Sequence, residues 1–216
     1  MDDTDARDVR ETYEAIAGHF SETRAYPWPE VETFVGQSDS VDLGLDLGCG
    51  NGRHTAVLAD RTDHVVALDA SRNLLEAARE RLDDPGTRLI QGDAARLPLR
   101  AGSADLAVYV ATLHHLPSHE HRVGSLNELA RVLGADGRGL VSTWSTAHDR
   151  FDAGSDAETG FDTTIDWTLP DGTVVPRFYH IYSPAEFEAD LEASDLVVER
   201  VRVSSGNCYA EVHGRT

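Results

Sequence analysis

At 216 residues and 40% hydrophobic side chains, the chain has the length and apolar content of one domain with a sizeable core. No run approaches the roughly 18 apolar residues of a membrane span, and the opening residues lack a basic, apolar leader, so a cytoplasmic protein is expected. Acidic residues outnumber basic ones 38 to 19, and all 19 cations are arginine.

In chain order, Asp5–Phe20 places Val9, Tyr13, Ile16 and Phe20 at helical spacing and predicts an amphipathic helix. The prolines of Arg24–Pro29 then predict an extended loop. Strands are expected at Val41–Leu47, His64–Leu68, Arg88–Gln91, Asp105–Thr112 and Gly139–Trp144. Helices are expected at Gly52–Arg61, from Ser71 as N-cap to Leu82, and at Glu120–Leu133 closed by Gly134. This alternation predicts an α/β fold, a mostly parallel sheet with helices on both faces. From 146 to 176 the pattern fades into Asp, Thr and Gly, which reads as an insertion or lid near the active site. Residues 1–40 read as an N-terminal helical extension of a single domain spanning 1–216. Pro184 opens a helix over Ala185–Ala193. Leu196–Val203 and Asn207–His213, joined across Ser-Ser-Gly, predict an antiparallel hairpin.

A net charge of −19 leaves the chain self-repelling unless salt screens it. Acidity spread along the chain, with no lysine, points to adaptation to molar salt, as in a halophilic archaeon. Net charge does not exclude a nucleic-acid partner there, because phosphate contacts in molar salt are short-range. Cys49 and Cys208 are expected as buried small hydrophobes, since two thiols cannot make a four-ligand zinc site and no other metal set is evident.

The segment Asp46-Leu47-Gly48-Cys49-Gly50-Asn51-Gly52 follows a strand and opens a helix. Glycines at 48, 50 and 52 allow a sharp turn and close ligand approach, a signal shared with dinucleotide-binding folds. An acid ending the strand argues against a pyrophosphate, which needs the helix N-terminus clear. It suits S-adenosylmethionine (SAM), whose ammonium Asp46 would hold. Asp69, followed by Ala70, ends the second strand and is placed for the ribose hydroxyls. Asp93, after the third strand, is placed for the adenine amino group, and Ala94 beside it and Val110 in the fourth strand are further cofactor-side candidates. The competing reading makes all three acids helix N-caps.

Asp46–Gly52, Asp69, Asp93 and Leu113-His114-His115-Leu116 resemble the class I SAM-dependent methyltransferases over roughly residues 41–145. The flanks resemble the tRNA wobble-uridine (5-carboxymethyluridine) carboxyl methyltransferases. They do so in Tyr13–Ala17, His19–Ser21, Thr23-Arg24, Pro27-Trp28-Pro29, Arg177-Phe178-Tyr179-His180 and Gly206-Asn207-Cys208-Tyr209. Cys208 departs from the bulky aromatic expected there. The resemblance implies a Rossmann-like, seven-stranded sheet with an antiparallel last strand. It also implies methyl-ester formation on 5-carboxymethyluridine at U34, in a heterodimer with a small zinc-binding activator. The strand Arg88–Gln91 would lie at the sheet edge and offer that activator a docking site.

Such chemistry needs positioning more than proton transfer, because a carboxylate is already ionised at neutral pH. An arginine fork suits it, with Arg24 and Arg177 as candidates. His115 would donate to the carboxylate or uracil, or line the SAM pocket with His114. Tyr26 and Trp28 would stack on a flipped base or staple the N-terminal helix. Tyr179, His180, Asn207 and Tyr209 are further substrate-side candidates, and Asn207 reads equally as a turn residue. Two other functions share the centre of the chain: a quinone- or sterol-type small-molecule methyltransferase, and a SAM-binding scaffold without turnover.

Overall fold

In the computed structural model, which describes residues 5–151 and 157–215, apolar side chains alternate across a seven-stranded sheet. Residues 1–4 of the expected extension and 152–156 of the expected insertion lie outside the described residues. The strands are β1 (Val41–Leu47), β2 (Thr62–Asp69), β3 (Thr87–Gln91), β4 (Ala104–Val110) and β5 (Leu133–Trp144), followed by β8 (Val197–Ser204) and β9 (Asn207–His213). Their order is β3-β2-β1-β4-β5-β9-β8. The first five run parallel, and β9 enters antiparallel between β5 and β8. This is the expected class I architecture, and β3 is an edge strand.

Period-two alternation sorts the two faces. On β4, Leu106, Val108 and Val110 pack with Val31, Phe34 and Leu58 on one side. Ala107 and Tyr109 pack with Leu126, Leu129 and Phe187 on the other. The first side is covered by α2 (Pro29–Gly36) and α3 (Thr55–Ala59), the second by α5 (His119–Val132) and α6 (Pro184–Ala193). Side-chain caps fix the helix starts: Asp5 with Asp8 on α1 (Ala6–Thr23), Ser71 on α4 (Arg72–Arg81), and Ser183 before Pro184 on α6.

The chain departs from the sequence expectations at four places. Helix α2 starts at Pro29, inside what reads as a loop, because that proline occupies the first helical turn. Helix α3 covers only Thr55–Ala59, since Gly52 sits at φ +77° and delays helix entry. Gly134 does not close α5; Leu133 leaves the helix at once to pair with Ala104, and β5 begins there. The described part of the expected insertion holds an antiparallel hairpin, β6 (Phe161–Thr168) with β7 (Val174–Ile181). Its Asp and Thr residues alternate with the inward-facing Ile165 and Trp167, which hides the strand from a composition reading. No helix among the described residues is long and apolar enough to cross a membrane.

Candidate active site

A cavity of about 840 Å³ opens at the carboxyl edge of the parallel strands. One wall is local: Gly48 to Asn51 after β1, Asp69 to Ser71 after β2, Gln91 to Ala94 after β3, and Val110 to Thr112 after β4. Gly48 holds φ +73°, and a Cβ there would collide with the Thr112 side chain. Asp69 Oδ2 accepts from the Gly50 N–H at 2.8 Å and Oδ1 from the Ser71 N–H at 2.8 Å. Burial lifts its pKa to about 6, against the pull of those donors. Each of its oxygens keeps a lone pair for a ligand hydroxyl. Asp93 is exposed at the rim, its Oδ1 accepting from the Ala95 N–H at 2.9 Å.

Two residues of the expected cradle stand elsewhere. Asp46 is 1% exposed and forms no part of the wall; its Oδ2 accepts from the Thr55 hydroxyl at 2.6 Å, and burial raises its pKa to about 7. It braces the start of α3 from beneath the glycine loop. Gly52 also leaves the wall, because its open side faces Ala78 of α4 and Leu82 just after it. Gly48, Gly50, Asp69, Ala70, Asp93, Ala94 and Val110 all line the cavity.

The opposite wall is assembled from distant segments. Helix α1 contributes Val9, Tyr13 and Phe20, the 3₁₀ turn Leu113–His115 contributes both histidines, and β7 contributes Arg177 and Tyr179. Backbone N–H of Trp144 donates to His114 Nδ1 at 3.0 Å, so the His114 proton resides on Nε2, which has no protein partner among the described residues. His115 is oriented the other way. Its Nδ1–H donates to the Phe178 carbonyl at 3.0 Å, and Nε2 accepts from the Tyr13 hydroxyl at 2.7 Å. Burial depresses both imidazoles, His115 to about 3, and so favours their neutral forms. The expectation that His115 donates to substrate therefore fails: both its nitrogens are committed, and it positions Tyr13 and β7 instead.

Arg177 is 7% exposed, with its guanidinium carbon 4.6 Å from the Trp167 ring centre and 5.1 Å from that of Tyr179. Its Nε has no hydrogen-bond partner, and no carboxylate lies within 4 Å of it among the described residues. Arg24 reaches the same Trp167 ring at 5.2 Å and also lines the cavity. Trp28 lines the rim while packing its ring 6.1 Å from His54 and 6.4 Å from Tyr209, so it both contacts the cavity and anchors the loop. Asn207 lines the cavity too.

Three substrate-side candidates are not in the wall. Tyr26 is 83% exposed, outside the cavity. His180 is bound between Asp162 (2.7 Å) and Glu186 (2.9 Å), tying the hairpin to α6. Tyr209 is buried under α2 with Val31 and Phe34. Sequence reasoning missed Tyr13, Phe20 and Arg53 as wall residues. Tyr13 and Phe20 sit on the apolar stripe of α1, and nothing in that stripe distinguishes a cavity wall from a core face. Cys49 and Cys208 are buried free thiols, as expected; burial pushes Cys208 up to about 11.

Residues 45–141 match the methyltransferase-domain family Methyltransf_11. A tRNA (carboxymethyluridine(34)-5-O)-methyltransferase of Macaca fascicularis is 37% identical over 63% of this chain, and the chain spans about a fifth (20%) of that relative's length. The same fold occurs in a Haloferax volcanii methyltransferase solved with the Trm112 methyltransferase activator: TM-score 0.74, 16% identity, 96% of this chain and 98% of that one. It occurs again in a DhpI complex with SAM and HEP: TM-score 0.71, 23% identity, 97% and 100% of the two chains. The stretch that matches the methyltransferase-domain model lies on the fold shared with those solved structures and carries the glycine-loop wall of the cavity.

Proposed function

We propose that this chain is the catalytic subunit of a SAM-dependent tRNA methyltransferase. It forms the methyl ester of 5-carboxymethyluridine at the wobble position, working in the cytoplasm with a small zinc-binding activator. The observation that carries this reading is the buried, unpaired guanidinium of Arg177 in the wall facing the glycine cradle. An uncompensated buried cation costs several kcal/mol, on the order of 3–5 when its partner is removed, and an anionic substrate offsets that cost. The match to carboxymethyluridine methyltransferases supplies a substrate with such a carboxylate.

The cradle fits SAM on its own evidence. A side chain at Gly48 would close the space beside Thr112, and Asp69 faces the cavity with acceptor capacity to spare. When bound, SAM supplies a methyl group made electrophilic by its sulfonium. Arg177 grips the substrate carboxylate and aims it, and the Nε2–H of His114 supplies one weaker donor. No residue has to take a proton, and the wall agrees, since both histidines are held neutral without a free base facing substrate. Opposite charges combine into a neutral ester and a neutral sulfide, which an aromatic wall of Tyr13, Trp144 and Tyr179 favours by excluding water. The five-residue edge strand β3 supports docking of the activator by strand addition near Arg88–Gln91.

Mass spectrometry of tRNA nucleosides from a deletion strain tests the function. Loss of the wobble ester with accumulation of free 5-carboxymethyluridine is expected, and an unchanged ester level sinks the proposal. Transfer to lipid extract but not to tRNA would indicate the small-molecule enzyme. Absence of transfer with activator and carboxymethylated tRNA both present would indicate the scaffold.

A further inference from the structure

A chain of net charge −19 repels RNA at long range, so any RNA contact has to be made where cations are concentrated locally. In molar salt the screening length shrinks to about 3 Å, and only direct hydrogen-bonded contacts to phosphate survive. A place among the described residues meets that requirement. At the mouth of the cavity, three arginines, Arg24, Arg53 and Arg81, crowd around the loop between α1 and α2.

Arg53 lies with its guanidinium carbon 5.5 Å from the Trp28 ring centre, and no carboxylate is within 4 Å of it among the described residues. Arg81, at the end of α4, donates to the Ala25 carbonyl at 2.8 Å and to the Arg24 carbonyl at 3.4 Å, holding the loop down with its charge exposed. Burial, then the nearby charge of Arg24, lowers Arg53 to about 10; the carboxylate of Asp46 pulls the other way, and Arg81 adds to the repulsion. Three cations gathered with no carboxylate within 4 Å among the described residues are an electrostatic cost that a bound anion lowers. Between them in sequence stands Tyr26, 83% exposed, whereas the other exposed large apolar side chains reach 52% at most. A phenol ring so fully presented beside a cationic cluster is the combination that single-stranded nucleic acid uses, a phosphate contact with a stacking platform.

We propose that Arg24, Arg53, Arg81 and Tyr26 form a single-stranded-RNA subsite that takes the phosphate and base of a nucleotide next to the target uridine. The proposal rests on the tRNA reading above and divides the labour between the arginines: Arg177 takes the carboxylate, Arg24 the backbone. It also moves Tyr26 from the flipped base to its neighbour, which agrees with its position outside the cavity.

The test uses the chain with its activator and two substrates. One is an anticodon stem-loop carrying 5-carboxymethyluridine; the other is the phosphate-free nucleoside. R53Q is expected to raise KM for the stem-loop about tenfold and to reduce the log KM against log[KCl] slope by about 1. Y26A, a change at a surface ring that leaves the fold intact, is expected to raise the same KM about tenfold without changing the slope. For both variants the stem-loop loss should exceed the nucleoside loss at least fivefold. Stem-loop KM values within twofold of wild type, or equal losses on both substrates, would overturn the subsite. Wild-type protein that methylates the nucleoside but gains nothing from the stem-loop would overturn it as well. Wild-type protein inactive on both would instead overturn the tRNA reading itself, and the subsite with it.

Discussion

The two walls of the cavity are built in opposite ways. The cradle wall is a set of strand ends, Gly48–Asn51, Asp69–Ser71, Gln91–Ala94 and Val110–Thr112, each placed by the strand directly before it. The facing wall joins α1, the Leu113–His115 turn and the β6–β7 hairpin through side-chain bonds between residues as far apart as 102 and 148 positions, such as Tyr13 to His115 and His19 to Trp167. Backbone geometry makes the first wall, and packed side chains make the second. Changes to the first should therefore act on the cofactor, and changes to the second on the transfer step.

The largest expected separation is at Arg177. R177A should lower kcat/KM about 100- to 1,000-fold while the SAM Kd stays within about threefold, because one partner of a buried charge pair is worth roughly 2–5 kcal/mol. R177M should at the same time raise the Tm, since it removes a buried charge that the unliganded protein leaves unpaired. A fall in both activity and stability would place Arg177 in the structure rather than the site. From the other wall, G48A should weaken SAM binding about tenfold or more. The strain of a side chain at φ +73° is on the order of 1–2 kcal/mol before the clash with Thr112 is counted. Calorimetric titration of SAM separates this from any change in kcat.

Smaller effects sharpen the contrast. Y13F removes one hydrogen bond to His115, worth about 1 kcal/mol, so kcat should fall about fivefold with SAM affinity unchanged. The pH dependence belongs to the cradle. Asp69 is raised to about 6, so protonation as pH falls removes the charge that attracts a cationic ligand. SAM Kd should rise about fourfold from pH 7.5 to 5.5, a change that D69N abolishes. The same raised pKa disfavours the folded apo protein once pH exceeds the unfolded value near 4, and acid relieves that cost. His115, depressed to about 3, stays neutral throughout the window and contributes nothing to the profile. A flat Kd across this range would mean that Asp69 does not face the cofactor's charge.

The same division explains what could be read from the residues alone. Strand ends carry their signals locally, so Gly48, Gly50, Asp69 and Asp93 were legible from spacing, as were the Ser71 cap and the β8–β9 hairpin. Asp46 was legible as a strand-ending acid but not as a buried brace, because its partner Thr55 is fixed only when α3 starts late. On the far wall, His180 and Arg177 sit three residues apart on β7, yet the hairpin sends one to Asp162 and Glu186 and the other to the cavity. Nothing within the strand states which face meets α1. That information resides in pairings such as Trp167 with His19, which exist only after the chain has folded.

Helix α1 is fastened across the mouth by more than its aromatic face. Glu14 accepts from the Arg72 and Asn73 N–H groups at the start of α4, both at 2.8 Å, and Asn73 returns a bond to the Glu14 carbonyl at 3.0 Å. A wall latched in this way must undock for α1 to move, and a turnover limited by that undocking is distinguishable from one limited by methyl transfer. A single-turnover burst followed by a slower steady state is the kinetic signature, and loosening the latch with E14Q should shrink the gap between the two rates.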